Sequence, residues 1–172
     1  MTAIAAPFLS FRIGGSRAAL PLGLVREVLE RPAIVPVPGS HPHVAGVTLR
    51  GGVAVPVYDL LRFDALWPSP RGGPADEGPE VWSHLIVCGF GEVLAGLLGE
   101  QADLIGGAGA SEAGRSPGPA GMREEFVSGL VRIGADEVAL LDPARLFASL
   151  GVPAEVARSV MEGEGEEDPA GR

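Results

Sequence analysis

Short runs that alternate hydrophobic and polar residues dominate the first sixty positions of the chain. Residues 8–13 alternate in this way, and Gly14-Gly15 offers a two-residue turn into residues 17–20, which predicts a β-hairpin. Residues 21–28 begin with proline and carry hydrophobic side chains at helical spacing, which predicts a short helical turn. Residues 29–37 contain two prolines, so we expect an edge strand or an extended connector there.

Further β-rich runs flank turns that contain glycine. Gly51-Gly52 lies between two such runs, and both central positions of a two-residue hairpin turn need the positive φ that glycine adopts freely. In the second half of the chain, turns at residues 89–91 and 134–137 separate apolar runs in the same manner. The strands predicted around these turns are residues 44–50, 53–58, 85–88, 93–98, 126–133 and 138–141.

Segments rich in glycine and proline divide the predicted strands. Residues 64–80 carry four prolines and three glycines and are expected to form a linker, and residues 106–121 are expected to form a long mobile loop. Asp142 and Pro143 are typical of the N-cap and first position of a helix, and Gly151 is typical of its end. Asp59, which precedes a leucine-rich turn, is expected to be a second N-cap.

These patterns predict an all-β fold with two blocks of about five short strands each, joined by the linker. We expect one domain over residues 1–161, with a second short helix at residues 153–161. The last eleven residues, 162–172, contain five acidic side chains and are expected to form a disordered tail.

The composition narrows the possible functions. Glycine and proline make up 26 and 16 of the 172 residues, but 46% of the chain is hydrophobic, so a core can form and the two residue types serve as turns. The chain has no lysine, which excludes a Schiff-base or phosphate-loop lysine. Its net charge of −9 argues against a nucleic-acid partner. The single cysteine and the absence of a basic region after Met1 favour a cytosolic protein without a signal peptide.

Two groups of residues resemble fragments of a chemical site. Cys88 follows His84 by four positions, but on one strand that spacing separates them by about 13 Å, so a buried, inert cysteine is the simpler interpretation. His41 and His43 are expected to lie in a solvated loop, and half of a metal site is the alternative. We therefore predict no enzyme activity, cofactor or metal, and keep a small metal-binding barrel as the remote alternative.

An ordered series of short motifs runs through most of the chain. Residues 38–47 (Pro-Gly-Ser-His-Pro-His-Val-Ala-Gly-Val) lead into Arg50-Gly51-Gly52 and then into residues 55–60 (Val-Pro-Val-Tyr-Asp-Leu). This order resembles CheW-type chemotaxis coupling proteins, in which Pro-Gly and Val-x-Gly-Val precede Asn-Leu-Arg-Gly and Pro-Val-x-Asp-Leu. Further similar motifs are Phe11–Gly14, Ala19–Leu22, Val25–Val28, Ala95–Leu98 with Glu100, Gly129-Leu130 and Leu140–Asp142 with Leu146-Phe147.

The resemblance covers residues 8–150 and implies both a fold and a function. The fold would be two packed five-stranded SH3-like β-barrels with short peripheral helices. The function would be that of a non-enzymatic adaptor, which links the cytoplasmic tip of methyl-accepting chemoreceptors to the regulatory domain of a CheA-type histidine kinase. A divergent scaffold that binds only one of these partners, in a non-flagellar chemosensory pathway, is the alternative.

The resemblance also implies a partner-binding surface. In the family, the arginine of Asn-Leu-Arg-Gly and the glutamate of Val-x-Glu-Val lie near the receptor-contacting surface, and the corresponding residues here are Arg50 and Glu27. Arg50 comes one position earlier than in the family pattern, which would turn its side chain to the opposite strand face unless a bulge at the adjacent turn restored it. We hypothesise that Glu27 and Arg50 form a surface ion pair there, and the alternative is that both side chains simply face water. The predicted partner-binding residues are Val25, Glu27, Gly46, Arg50 and Gly51.

Gly46 and Val25 each have a structural interpretation as well. Gly46 is expected to let the backbone approach a neighbouring strand. Val25 is either a core residue or a hydrophobic contact for a partner.

Overall fold

The computed structural model of the chain describes residues 7–67, 82–105, 111–112 and 122–152. The predicted second helix at 153–161 and the predicted acidic tail lie outside these residues. The strands are β1 Phe8–Ile13, β2 Ser16–Pro21, β3 Val25–Glu30, β4 Val44–Arg50, β5 Val53–Tyr58, β6 His84–Phe90, β7 Val93–Ile105, β8 Ser111–Glu112, β9 Val127–Ile133 and β10 Asp136–Leu141. Within the described residues, the helices are α1 Pro143–Ser149 and three single 3-10 turns, Leu22–Leu24, Leu60–Arg62 and Glu124–Phe126. The predicted mainly β fold is confirmed.

The first sheet has the strand order β3-β6-β7-β5-β4. All neighbours in it are antiparallel except β5 and β7, which run parallel with Val57 opposite Gly96. The connector after β3 returns along the free edge of β4, where Val35 and Val47 exchange two backbone hydrogen bonds of 2.8 and 2.9 Å. The connector therefore brings the two edge strands, β3 and β4, toward each other, and we call this sheet the first barrel.

The second sheet continues from the far half of β7 in the order β7-β1-β2-β10-β9-β8. Strand β10 runs parallel to β2, with Ala139 opposite Ala18, and the other neighbours are antiparallel. Strand β7 belongs to both sheets, since its first half pairs with β5 and β6 while its second half pairs with β1. The second barrel is therefore joined to the first through one continuous strand.

Two groups of buried side chains fill the structure. The small group lies inside the first barrel and consists of Val55, Val57, Leu85, Val87 and Leu98. The large group fills the second barrel and the space between the barrels, and Phe11, Phe90 and Phe147 are its largest fully buried members. Because β6 sends Leu85 and Val87 into the small group and Ile86 and Cys88 into the large one, it is buried on both faces.

The strands of the two predicted blocks do not form separate sheets. The first barrel takes β3, β4 and β5 from the first half of the chain and β6 and β7 from the second, and the second barrel is mixed in the same way. Local turns define which strands form hairpins, but the parallel pairings of β5 with β7 and of β2 with β10 are long-range. The described residues do contain five strands on each side of the predicted linker, but each barrel combines strands from both blocks.

Three predicted boundaries also differ. The helical turn predicted at 21–28 ends at Leu24, and β3 begins at Val25. The first residues of the predicted linker are packed rather than free, since Leu66 is fully buried and its carbonyl accepts a 2.8 Å hydrogen bond from the Arg123 amide. Ser111 and Glu112, which fall in the predicted long loop, pair with β9 as a short strand. The rest of both segments lies outside the described residues.

Both predicted N-caps are present. Asp59 Oδ1 accepts a 3.0 Å hydrogen bond from the Leu61 amide at the start of the 3-10 turn Leu60–Arg62. Asp142 Oδ1 accepts a 3.1 Å hydrogen bond from the Arg145 amide, and Pro143 occupies the first turn of α1. Each carboxylate satisfies an amide that has no partner within the helix.

Removing the cap of α1 tests this account. Asp142→Ala should lower the free energy of unfolding by about 1 kcal/mol, because the Arg145 amide loses its acceptor. Asp142→Asn keeps an acceptor and should lose much less. Urea unfolding followed by circular dichroism measures both variants, and an unchanged midpoint for the alanine variant would contradict a stabilising cap.

Candidate partner-binding surface

Glu27 and Arg50 form a two-pronged ion pair between the edge strands of the first barrel. Arg50 Nε donates to Glu27 Oε2 at 3.0 Å, and Arg50 Nη2 donates to Glu27 Oε1. The two side chains are 38% and 35% exposed, so the pair is accessible from solvent while both partners keep a fixed geometry. The structure thus brings together the two residues that the sequence analysis expected to pair.

The pair lies at one end of the first barrel. Glu27 is opposite Val87 on β6, whose side chain belongs to the small core, so the two side chains share the inner face. Arg50 follows the buried Thr48 by two positions on β4, so it also projects from the inner face, where the strand leaves the core. The ion pair therefore lies at the end of the barrel interior.

The turn beside Arg50 is a regular two-residue hairpin turn. Gly51 and Gly52 have φ of +55° and +82°, and Arg50 pairs directly with Val53. The bulge that the sequence analysis considered at this turn is absent from the β4–β5 pairing, and the register shift lies at the other end of β4, between Val44 and Gly46. Gly51 is exposed at the tip of the hairpin, next to Arg50.

Gly46 lies at a close approach between two backbone segments. Its φ is +150°, and a Cβ atom built there would lie 2.8 Å from the carbonyl carbon of Val35 and closer still to the carbonyl oxygen. The glycine therefore lets the connector run along β4, as expected from the sequence. Gly46 lies four residues from Arg50, about 13 Å along the strand, so it supports the ion pair only through the course of β4.

Val25 begins β3 and is only partly buried. It is opposite Cys88 and packs against the large core, while Glu27, two residues later, faces the small core. A register shift between Val25 and Glu27, with Arg26 as the extra residue, separates the two environments. Val25 thus has both a core contact and some exposed surface.

The structure also reveals an exposed apolar strip that the sequence analysis missed. Val35, in the connector, is 67% exposed, and Leu49, on β4, is 69% exposed. The neighbour of Leu49 on β4, Thr48, is buried, and its hydroxyl donates a 2.9 Å hydrogen bond to the Ala33 carbonyl. Strand β4 thus turns small or polar residues inward and apolar residues outward. The outer strip, as defined by cross-strand pairing, consists of Val35, Val47, Leu49, Ala54 and Pro56. The strip could have been recognised from the order of Thr48 and Leu49, because on β4 the polar residue takes the inward position and the apolar residue the outward one.

The histidine pair lies in an aromatic cluster. The His43 ring stacks on His41 at 5.4 Å and meets Phe63 edge-on at 5.0 Å. Partial burial and the neighbouring His41 lower the pKa of His43, while Asp64 opposes this shift. Within the described residues, no group of three or more histidine, cysteine or acidic side chains is arranged to hold a metal ion.

Cys88 is fully buried in β6. Burial raises the pKa of its thiol to about 12, so the group stays protonated and unreactive at neutral pH. The interpretation of this residue as an inert core cysteine agrees with its position.

Comparison with known proteins fits this arrangement. The model of the CheW-like domain matches residues 7–151. The chain belongs to the CheW-like domain family. This is a family of scaffold and coupling proteins rather than of enzymes.

A curated relative and a solved structure are similar to this CheW-like chain. Protein FrzA of Myxococcus xanthus is 34% identical over 93 residues, which are 54% of this chain and 53% of FrzA, so the match spans about half the length of that relative. The crystal structure of the scaffolding protein TtCheW from Thermoanaerobacter tengcongensis superposes with a TM-score of 0.61. At 18% identity, it covers 81% of this chain and 90% of TtCheW, and the two share the fold of paired SH3-like barrels.

The described helices are few and short. In the parts of the CheW-like chain that the structure describes, no helix is both long and apolar enough to cross a membrane.

Replacing Gly46 tests its role in the CheW-like fold. Gly46→Ala should lower the free energy of unfolding by about 2 kcal/mol or more, because the new methyl group meets the Val35 carbonyl and the backbone conformation is strained. Gly39→Ala is the matched control, since Gly39 also has a positive φ, +76°, but has open space at the Cβ position. Thermal and urea unfolding measure both, and equal losses would show that the close approach to Val35 contributes nothing.

Proposed function

We propose that this CheW-like protein is a non-enzymatic adaptor that couples chemoreceptors to a CheA-type histidine kinase. One surface binds the cytoplasmic tip of a methyl-accepting receptor, and another binds the regulatory domain of the kinase. The protein acts in the cytoplasm, at receptor arrays beside the inner membrane. The observation that carries the proposal is the CheW-like domain match over residues 7–151, which includes both barrels.

The receptor surface is centred on the end of the first barrel. Glu27 and Arg50 orient each other and present a charged, directional group to the receptor tip. Gly51 keeps the adjacent turn free of side-chain bulk, and Val25 contributes apolar surface beside β3. Gly46 acts indirectly, because it fixes the path of β4. The apolar outer strip borders the same hairpin and extends the available contact area.

An ion pair as exposed as this one contributes more to the orientation of a docking partner than to the stability of the fold. Pairs with this degree of exposure contribute at most about 1 kcal/mol to folding. The guanidinium and carboxylate planes are nevertheless held in a defined geometry by the two-pronged contact. A partner helix that docks here would therefore meet a preorganised pair of opposite charges.

Binding to both partners is the direct test of the adaptor function. The purified protein should bind a receptor cytoplasmic fragment and a kinase regulatory domain, separately and in one ternary complex, as measured by calorimetry and size-exclusion chromatography. Adding it to receptor arrays in vesicles should bring kinase autophosphorylation under receptor control. Binding of one partner alone would support the single-partner scaffold, and binding of neither would contradict both functions.

Exchanging the charges of the ion pair tests the receptor surface. Glu27→Arg and Arg50→Glu should each weaken receptor binding about tenfold, because each leaves two like charges facing each other. The double exchange restores an ion pair and should recover most of the affinity, while the thermal midpoint stays nearly constant throughout.

The control uses an ion pair in the second barrel. Arg132 and Glu137 lie opposite each other on β9 and β10 and form an exposed 3.4 Å contact. Exchanging their charges should leave receptor binding unchanged. A double exchange of Glu27 and Arg50 that shows no recovery would contradict a role for the pair itself.

A further inference from the structure

Arg26 occupies the register shift of β3 and covers a glycine on the neighbouring strand. Its side chain is exposed, yet a Cβ atom built on Gly89 would lie 2.6 Å from Arg26 Cγ and closer to Nε. The three atoms nearest to that position all belong to Arg26. The absence of a side chain at Gly89 therefore provides the space in which Arg26 lies flat on the sheet.

This contact fixes the face on which Arg26 projects. Gly89 follows Val87 by two positions on β6, so both project from the inner face of the first barrel. Glu27 shares that face because it is opposite Val87. Arg26 and Glu27 are consecutive in sequence, but the extra residue in β3 puts both at the same end of the barrel.

Arg26 differs from most arginines of the protein in its charge environment. Of the nine arginines within the described residues, six form ion pairs, namely Arg17, Arg50, Arg62, Arg123, Arg132 and Arg145. Among the three without an acidic partner in the described structure, Arg12 is directly opposite Glu100 on β7, and Arg31 follows the end of β3. Arg26 alone of these three lies at the end of the first barrel.

Arg26 has no acidic partner among the described residues at this end of the barrel. Glu27 is already engaged by Arg50, so the guanidinium of Arg26 is left over beside a neutralised pair. Val53, opposite Arg50, is 51% exposed and adds apolar surface to the same end. A guanidinium whose stem packs on the sheet and which lies next to apolar surface suits a carboxylate on an amphipathic partner segment.

We infer that Arg26 is a specificity-determining residue for the receptor, and that it pairs with a carboxylate on the receptor tip. The inference rests on the proposed receptor-binding function and names the chemistry that the receptor supplies at this point. Gly89 acts with Arg26 as a positioning residue, since its lack of a side chain leaves the space that the Arg26 side chain occupies against the sheet.

Four variants separate charge from position. Arg26→Gln and Arg26→Glu should weaken binding of the receptor fragment by about fivefold and more than tenfold, respectively. Gly89→Ala keeps the charge but displaces the side chain, and it should weaken binding by about threefold. Arg31→Gln removes a positive charge five residues further along the chain, directly after the end of β3. This variant should bind the receptor fragment as the original protein does. Each variant should bind the kinase regulatory domain as the original protein does.

Two measurements on the receptor side complete the test. The salt dependence of receptor binding should become shallower in Arg26→Gln, since one charge contact is lost. Replacing each acidic residue of the receptor tip in turn by arginine should identify one position at which Arg26→Glu restores affinity. If the original protein binds the receptor fragment and the Arg26 variants bind it equally well, this inference is wrong and the proposed function stands. If the original protein does not bind, the receptor-binding function itself fails.

Discussion

Strand β7 is the constraint on which the rest of the structure depends. Its first half completes the first barrel between β5 and β6, and its second half pairs with β1 in the second barrel. Two glycines allow β7 to pack closely against both cores. A Cβ atom on Gly96 would meet Leu85, and one on Gly99 would meet the Phe11 ring. Because one strand serves both sheets, neither barrel can shift far without disturbing the other, and surfaces on the two barrels keep a fixed relation.

Local chemistry accounts for the elements that the sequence predicts well. The Gly-Gly turns, the final hairpin and the N-caps at Asp59 and Asp142 each depend on residues a few positions apart. The assignment of strands to sheets depends instead on long-range pairing, which no local pattern contains. Strand β7 was predicted to end at residue 98 because Gly99, Glu100 and Gln101 break the apolar run. Its second half is half-exposed beside β1, so it does not need a continuous apolar sequence.

The candidate site was predictable in part. The resemblance to the family pointed to Glu27 and Arg50, and the structure joins them, although Arg50 is displaced by one position from the family pattern. The register shifts in β3 and β4 were not predictable from the sequence. The roles of Arg26 and Gly46 depend on close contacts with residues distant in sequence, Gly89 and Val35 respectively. The outer strip was missed for a related reason. Apolar residues in a strand are normally assigned to the core, whereas β4 buries Thr48 and exposes Leu49.

The position of the ion pair is compatible with both a stable barrel and the proposed binding surface. The connector holds the barrel edge through the backbone bridge between Val35 and Val47 and through the Thr48 hydroxyl, and neither contact uses the side chain of Glu27 or Arg50. The ion pair adds at most about 1 kcal/mol to this closure. Its two side chains can therefore exchange hydrogen bonds with a docking partner while the backbone of the barrel stays closed. If the proposed binding occurs here, the surface can adjust to a partner at low energetic cost, because the backbone of the barrel is closed by other contacts.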